Sequence, residues 1–430
     1  MKWILRGLLA LVLGLAILVA LALQTAPAVP PSATPTTADG AALRDLVQRL
    51  DPRRLVHLRP ALLAVTVSEL NLLLSLAAQQ RPGTGVRLDV QDARLLLRAS
   101  VPLGGFWLNL QAELHQEQGW PSLHGIRLGS APLPASLTRW ALLAWLDRQN
   151  ALEPLRALRF LAEQIRFRPG QVHVMLRWRP DSVERLLNGV WPPAERDRAL
   201  AYQQALAGWA AQRRAGTPVS LAEVLHTLFA LAEQRTAAGA DPAAENRMAL
   251  LTLAVNMSGR GWAKLLPLAQ AWPALPPLNL RLVGRDDFPL HWAYSAAIAA
   301  AAGGPLSDII GIDKELADAR GGSGFSFNDL AADRAGSRVG ELALSQPLHV
   351  QRLLARPHAE SLLLPEVADL PEFLTEAQLK QMYGGLNGPG YRRLMALIES
   401  RIQAMPLMNP GLPGITAGAT AASQPHNAPP

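Results

Sequence analysis

Between Val86 and Leu128 apolar and polar residues alternate with period two, and that alternation limits the fold more than any other feature of the chain. Val86, Leu88 and Val90 alternate first. After Gln91-Asp92 come Leu95, Leu97, Ala99 and Val101, and then Phe106, Leu108, Leu110, Ala112 and Leu114. A period of two places each set on one side of a strand, so each stretch predicts a strand with a single apolar face. A turn at Gln118-Gly119 leads to Leu123, Ile126 and Leu128, with Gly125 marking a bulge. Ile165 and Phe167, a Pro169-Gly170 turn, and Val172, Val174, Leu176 and Trp178 supply a further pair. Thr66-Val-Ser-Glu69 is a capping box before an apolar run and predicts a helix from about Val67 to Gln79. The expectation for residues 45–180 is an antiparallel, curved sheet with one long helix, wrapped around something apolar.

From Pro180 onward the period becomes helical. Asp181 with Glu184, Ser220 with Glu223, and Asp241-Pro242 are helix-start signals, and apolar residues recur at three-four spacing. His226, in mid-helix beside Leu225 and Phe229, reads as a structural histidine. The expected organisation is an α+β chain. A transmembrane anchor at 1–23 precedes a flexible stalk at 24–44 and the sheet-plus-helix module at 45–180. An all-helical module at 181–408 carries a polar cluster at 285–341, and 409–430 is a disordered tail.

The N-terminus motivates the anchor. Lys2 and Arg6 precede an unbroken apolar run from Gly7 to Leu23, followed by a Pro-, Ala- and Thr-rich stretch. Such a run is about long enough to cross the hydrocarbon core, and the positive flank orients it. The reading is a single-pass protein of a bacterial inner membrane, its bulk in the periplasm. Cleavage of the run as a signal peptide at Ala20-Leu21-Ala22 is the alternative.

Composition removes several function classes. The chain has 430 residues, 49% hydrophobic and 17% charged, enough apolar material for more than one core. It has no cysteine, which excludes disulfides, thiol catalysis, zinc-thiolate sites and acylation at a cysteine. The net charge of +7 is carried by scattered arginines without interleaved aromatics, so no nucleic-acid partner is expected.

The cluster at 285–341 holds His291, Lys314, Glu315, Asp318, Asp329 and Asp333 in an Ala/Gly-rich background. His291 and Ser295, four apart, share a helix face, as do Asp329 and Asp333. Lys314 and Asp318 make an ordinary ion pair worth ~0.3–0.5 kcal/mol, while Glu315 points elsewhere on its helix. Ser326 with Asp329 starts a third helix, on which Ala332, Gly336 and Gly340 permit close helix contact. The Gly321-Gly-Ser-Gly324 loop lacks the lysine of a phosphate loop.

Three resemblances rest on these residues and on the sheet region. The run from His291 through Lys314-Glu315, Asp318, Gly322–Gly324 and Asp329-Leu-Ala-Ala-Asp-Arg-Ala-Gly336 resembles the YfiM-like envelope lipoproteins. It is also similar in order to VanZ-like membrane proteins. Neither family implies a reaction. Residues 60–180, through Ser68-Glu69-Leu70-Asn71 and Gly129-Ser-Ala-Pro-Leu-Pro134, resemble YpmS-like membrane-anchored proteins, which implies a module holding an acyl chain between helix and sheet.

Three readings of the cluster follow. In the first it is structural: Asp329 caps, Asp333 pairs with Arg334 or Arg338, and His291 fixes helix packing. In the second, His291, Glu315, Asp329 and Asp333 hold a divalent metal, the one cofactor this donor set suits. In the third, Glu315 with Asp329 or Asp333 performs acid–base hydrolysis, helped by His291. The expected function is a membrane-anchored envelope accessory protein binding a lipid or polymer ligand. The alternative is a metal-dependent or carboxylate hydrolase of envelope material.

Overall fold

The computed structural model describes residues 21–32, 61–78, 83–134, 159–177, 191–214, 216–259, 261–264, 266–302, 324–386 and 388–409, with a few isolated positions between 39 and 156. The chain divides into two units, residues 1–196 and 197–430.

The first unit begins with a two-residue strand β1 (Leu23–Gln24), then β2 (Ala61–Thr66) and helix α1 (Val67–Ala78). Next come β3 (Gly85–Gln91), β4 (Arg94–Leu103), β5 (Phe106–Glu117), β6 (Trp120–Leu128) and β7 (Ala131–Leu133). The unit closes with β8 (Ala162–Arg168) and β9 (Gln171–Leu176). Strands β3 to β7 form an antiparallel meander, and β1 pairs with the start of β5. Strand β9 lies between β2 and β8 in a second, three-stranded sheet. The meander's register aligns the period-two pattern: Val90 pairs with Leu95, Leu97 with Ala112, Val101 with Leu108, and Leu110 with Leu128. One face of the sheet is therefore aliphatic from strand to strand. The β4–β5 turn uses Gly104 and Gly105 at φ 56° and 90°, left-handed values suited to a two-residue hairpin. The register slips opposite Glu113 and Leu114, so the bulge falls at His124 beside Gly125.

Helix α1 starts where its capping box sits: Thr66 Oγ1 accepts from Glu69 N at 3.2 Å and Glu69 Oε2 from Thr66 N at 2.7 Å. Its Asn71 side chain pairs with edge strand β3, donating to Leu88 O at 2.8 Å and accepting from Leu88 N at 2.7 Å. That amide satisfies backbone groups an edge would otherwise leave open. Leu88, Val90 and Phe167 form the buried core here, with Leu70, Leu74, Leu97 and Leu114 packed around them.

Two N-terminal expectations are corrected. Among the described residues no helix is long and apolar enough to cross a membrane. Most of the expected span, residues 1–20, lies outside the described residues. Its last residue, Leu23, is in strand β1, paired with Leu108, and Ala22 is buried at 6% exposure. At Leu23 the expected transmembrane helix or signal anchor is thus replaced by a two-residue strand paired in the sheet. The stalk expected from 24 onward is likewise a docked strap over its described part. Ala28 N donates to Asn109 Oδ1 at 3.0 Å, Val29 N to Ser100 Oγ at 2.9 Å, and Ser32 N to Thr84 O at 3.1 Å. Gly85 has no side chain because the Pro30 carbonyl oxygen occupies the position of a Cβ.

The second unit holds helix α2 (Pro193–Ala211), strand β10 (Pro218–Ser220), α3 (Leu221–Ala237), α4 (Pro242–Met257) and strand β11 (Asn279–Arg281). It continues with α5 (Phe288–Ala302), α6 (Phe327–Ser345), α7 (Pro347–Leu354), α8 (Glu376–Tyr383) and α9 (Pro389–Gln403). Strands β10 and β11 pair in parallel, so this unit is not all-helical as expected. Three residues each are too short for a period-two signal to register. Its core contains a fully buried Glu245, which accepts from Arg198 Nε and Arg235 Nε, each at 2.7 Å, and from the Tyr202 hydroxyl at 3.0 Å. Burial pushes the Glu245 carboxyl up, but these donors outweigh it and hold its pKa below the ordinary value.

Candidate functional site

Helices α5 and α6 carry the described part of the polar cluster. Their alanines and glycines let the backbones meet: a Cβ on Gly336 would overlap the Trp292 carbonyl oxygen, and one on Gly340 that of Ala296. Trp292 is fixed in turn by its indole N–H, which donates to Leu363 O at 2.9 Å. Close approach brings one turn of α5, His291 and Ser295, against one turn of α6, Asp329 and Asp333.

The four side chains are buried. His291 Nδ1 lies 3.2 Å from Asp333 Oδ2, and His291 Nε2 lies 3.6 Å from Asp329 Oδ2. Ser295 Oγ donates to Asp333 Oδ1 at 2.8 Å, so both oxygens of Asp333 are engaged. The serine faces the carboxylate rather than the imidazole, and His291 does not stand over it as a base. Asp333 therefore does not pair with Arg334 or Arg338. Both arginines face Glu399, at 4.0 Å and 3.0 Å, and Arg338 also meets Glu341 at 2.8 Å. On a helix, neighbours in sequence point about 100° apart, and Asp333 takes the inward direction.

Arg285 closes the entrance to α5. It holds Asp287 through Nη2 at 2.5 Å and Glu372 through Nη1 at 2.9 Å, and lies 4.0 Å from Asp329 Oδ1. Burial raises the Asp287 carboxyl, yet the hydrogen bonds and charge of Arg285 overcome this and hold its pKa low. The hydrogen bond to Asp287 in turn binds the Arg285 proton more tightly than usual. Glu372 reaches the site because Phe325 and Leu374 pair through their backbones, at 2.7 Å and 2.9 Å, just before α6 begins. At that start Ser326 Oγ accepts from Asp329 N at 3.1 Å.

Of the sequence-derived candidates, the structure brings together His291, Asp329 and Asp333. Lys314, Glu315 and Asp318 lie outside the described residues. Ser295, Arg285 and Glu372 were missed as members. The i, i+4 spacing of His291 and Ser295 was the available signal for the serine. Nothing local marks Glu372, some forty residues past Asp329. Among the described residues no group of three or more His, Asp or Glu side chains is arranged to hold a metal ion. What the arrangement does chemically is keep an imidazole between two carboxylates and tie two helices through it.

The chain matches no family model, no curated protein and no solved structure.

Proposed function

We propose that this chain is a non-enzymatic binding protein whose first unit takes an extended apolar ligand, of the acyl-chain class, along the aliphatic face of its meander. The observation that carries this reading is how unevenly that face is covered. Strands β4 and β5 have 10 and 12 residues, about 34 and 40 Å at 3.4 Å per residue. Helix α1 has 12 residues, about 18 Å at 1.5 Å per residue. The helix packs against the Val90, Leu95 and Leu114 end, where the buried cluster lies. At the other end Leu103 and Phe106 are 54% and 48% exposed, and Val101 and Leu108 are only half-buried. An uninterrupted aliphatic strip that passes from buried to open suits a long apolar molecule. In the buried cluster on α5 and α6 both oxygens of Asp333 are engaged by His291 and Ser295, which favours packing over hydrolysis.

Titration of the full chain with a fluorescent long-chain fatty acid tests this. Saturable one-to-one binding is expected, weakened at least tenfold by Leu103→Asp or Phe106→Asp, exposed positions whose substitution leaves the core intact. Absence of saturable binding, or equal binding by both variants, would overturn the reading.

A further inference from the structure

The second unit holds a pair of histidines that the α5–α6 cluster does not use. His226 lies on α3, and His358 lies on the segment that follows α7. Both line one cleft of about 470 Å³, with Trp209, Arg213, Glu223 and Pro357. The segment carrying His358 is fastened to α3 at both ends. Arg356 pairs with Glu233 at 3.4 Å, and Glu360 accepts from Ser220 Oγ at 2.5 Å and from Val283 N at 2.6 Å. The two imidazoles are thus held in a fixed frame.

Their hydrogen bonding is incomplete in a specific way. His358 Nδ1 lies 2.8 Å from Arg356 O, a carbonyl that can only accept, so the ring proton sits on Nδ1. Its Nε2 therefore carries a lone pair, and that atom is buried without a hydrogen-bond partner. His226 Nδ1 is also buried without one. Leaving such atoms buried and unsatisfied is unfavourable unless something else engages them. A backbone carbonyl that sets one ring nitrogen and aims the other is the usual support of a metal-binding histidine. Burial lowers the His358 pKa, against the raising effect of the hydrogen bond to Arg356, which favours the neutral ring that a ligand must be. Glu223, one turn before His226, sets the cleft against an anion, although Arg213 partly offsets it at 3.1 Å.

We propose that His226 and His358 form a two-imidazole site for a divalent transition-metal ion of the Zn²⁺, Ni²⁺ or Cu²⁺ type, with water completing the coordination. Neutral nitrogen donors select these ions over Mg²⁺ or Ca²⁺, which require oxygen. With two protein ligands rather than three, the ion is exchangeable.

Calorimetric titration of the full chain with Ni²⁺ and Zn²⁺ at neutral pH tests the site. One ion per chain is expected, with at least tenfold weaker binding in each of His226→Ala and His358→Ala. His115→Ala, which alters the stacked His115–His124 pair on the meander, should change nothing. The unsubstituted chain labelled with [¹⁵N]histidine gives a second readout that does not depend on variants folding. Zn²⁺ should shift the ring-nitrogen signals of two histidines, and Mg²⁺ none. No binding, binding retained in both variants, loss with His115→Ala alone, or unshifted ring signals would each overturn the proposal.

Discussion

Gly336 sits so close to Trp292 that a Cβ on it would overlap the tryptophan's carbonyl oxygen, and no side-chain rotation relieves a clash with backbone. Gly336→Ala must therefore push α5 from α6, at about 1–3 kcal/mol for overpacking. Gly208, in the middle of α2 and exposed, has open space around its Cβ position. There alanine should stabilise by about 0.5–1 kcal/mol, because glycine loses more backbone freedom on folding. Urea unfolding of the two variants should give opposite signs. Shifts of the same sign would contradict the close contact.

Asn109 fastens the N-terminal strap. Its Oδ1 accepts from Ala28 N at 3.0 Å and Ser100 Oγ at 2.6 Å, and its Nδ2 donates to Gln24 Oε1 at 2.5 Å and Ala26 O at 3.0 Å. Asn109→Ala should cost about 1–3 kcal/mol for the groups left unpaired, and hydrogen exchange over residues 24–30 should rise far more than over β3 to β6. Unchanged protection there would mean the strap does not depend on this side chain.

Asp333 and His291 should be coupled. Asp333→Ala removes the partner of His291 Nδ1 and of Ser295 Oγ at once, inside a buried contact. A double-mutant cycle with His291→Phe is expected to give a coupling energy of about 0.5–3 kcal/mol. Additive effects of the two substitutions would show that the 3.2 Å approach contributes nothing to the fold.

Much of the first unit is legible in sequence because its signals are local. Period-two runs, two-residue turns and the Thr66–Glu69 box each reside in a few consecutive residues. The strap was not legible. Its prolines and small residues look like a linker, and its hydrogen bonds come from Asn109 and Ser100, some eighty residues away. The same limit hid Glu372 from the cluster and turned Asp333 toward the wrong arginines. Spacing gives the face of a helix but not which neighbour that face meets. At its described end the apolar run misled for a related reason, since hydropathy alone does not show that Leu23 pairs with Leu108 in the sheet.

Glu245 sets a pH window for the second unit. Its carboxyl is fully buried and held by Arg198, Arg235 and Tyr202, with a folded-state pKa below the ordinary 4.5. A carboxyl that binds its proton less tightly when folded stabilises the fold above the unfolded-state pKa. That contribution disappears as pH falls through the lower, folded-state value. Glu245→Gln removes the charge but leaves two arginine side chains facing a neutral amide, at a cost of about 3–5 kcal/mol for breaking a buried pair. Near pH 7 the variant should be much less stable than the parent chain, and the gap should narrow steadily below about pH 4.5. Stability measured by urea unfolding between pH 3 and 7 checks this. A gap that stays constant across that range would mean the carboxylate's charge is not what holds this core.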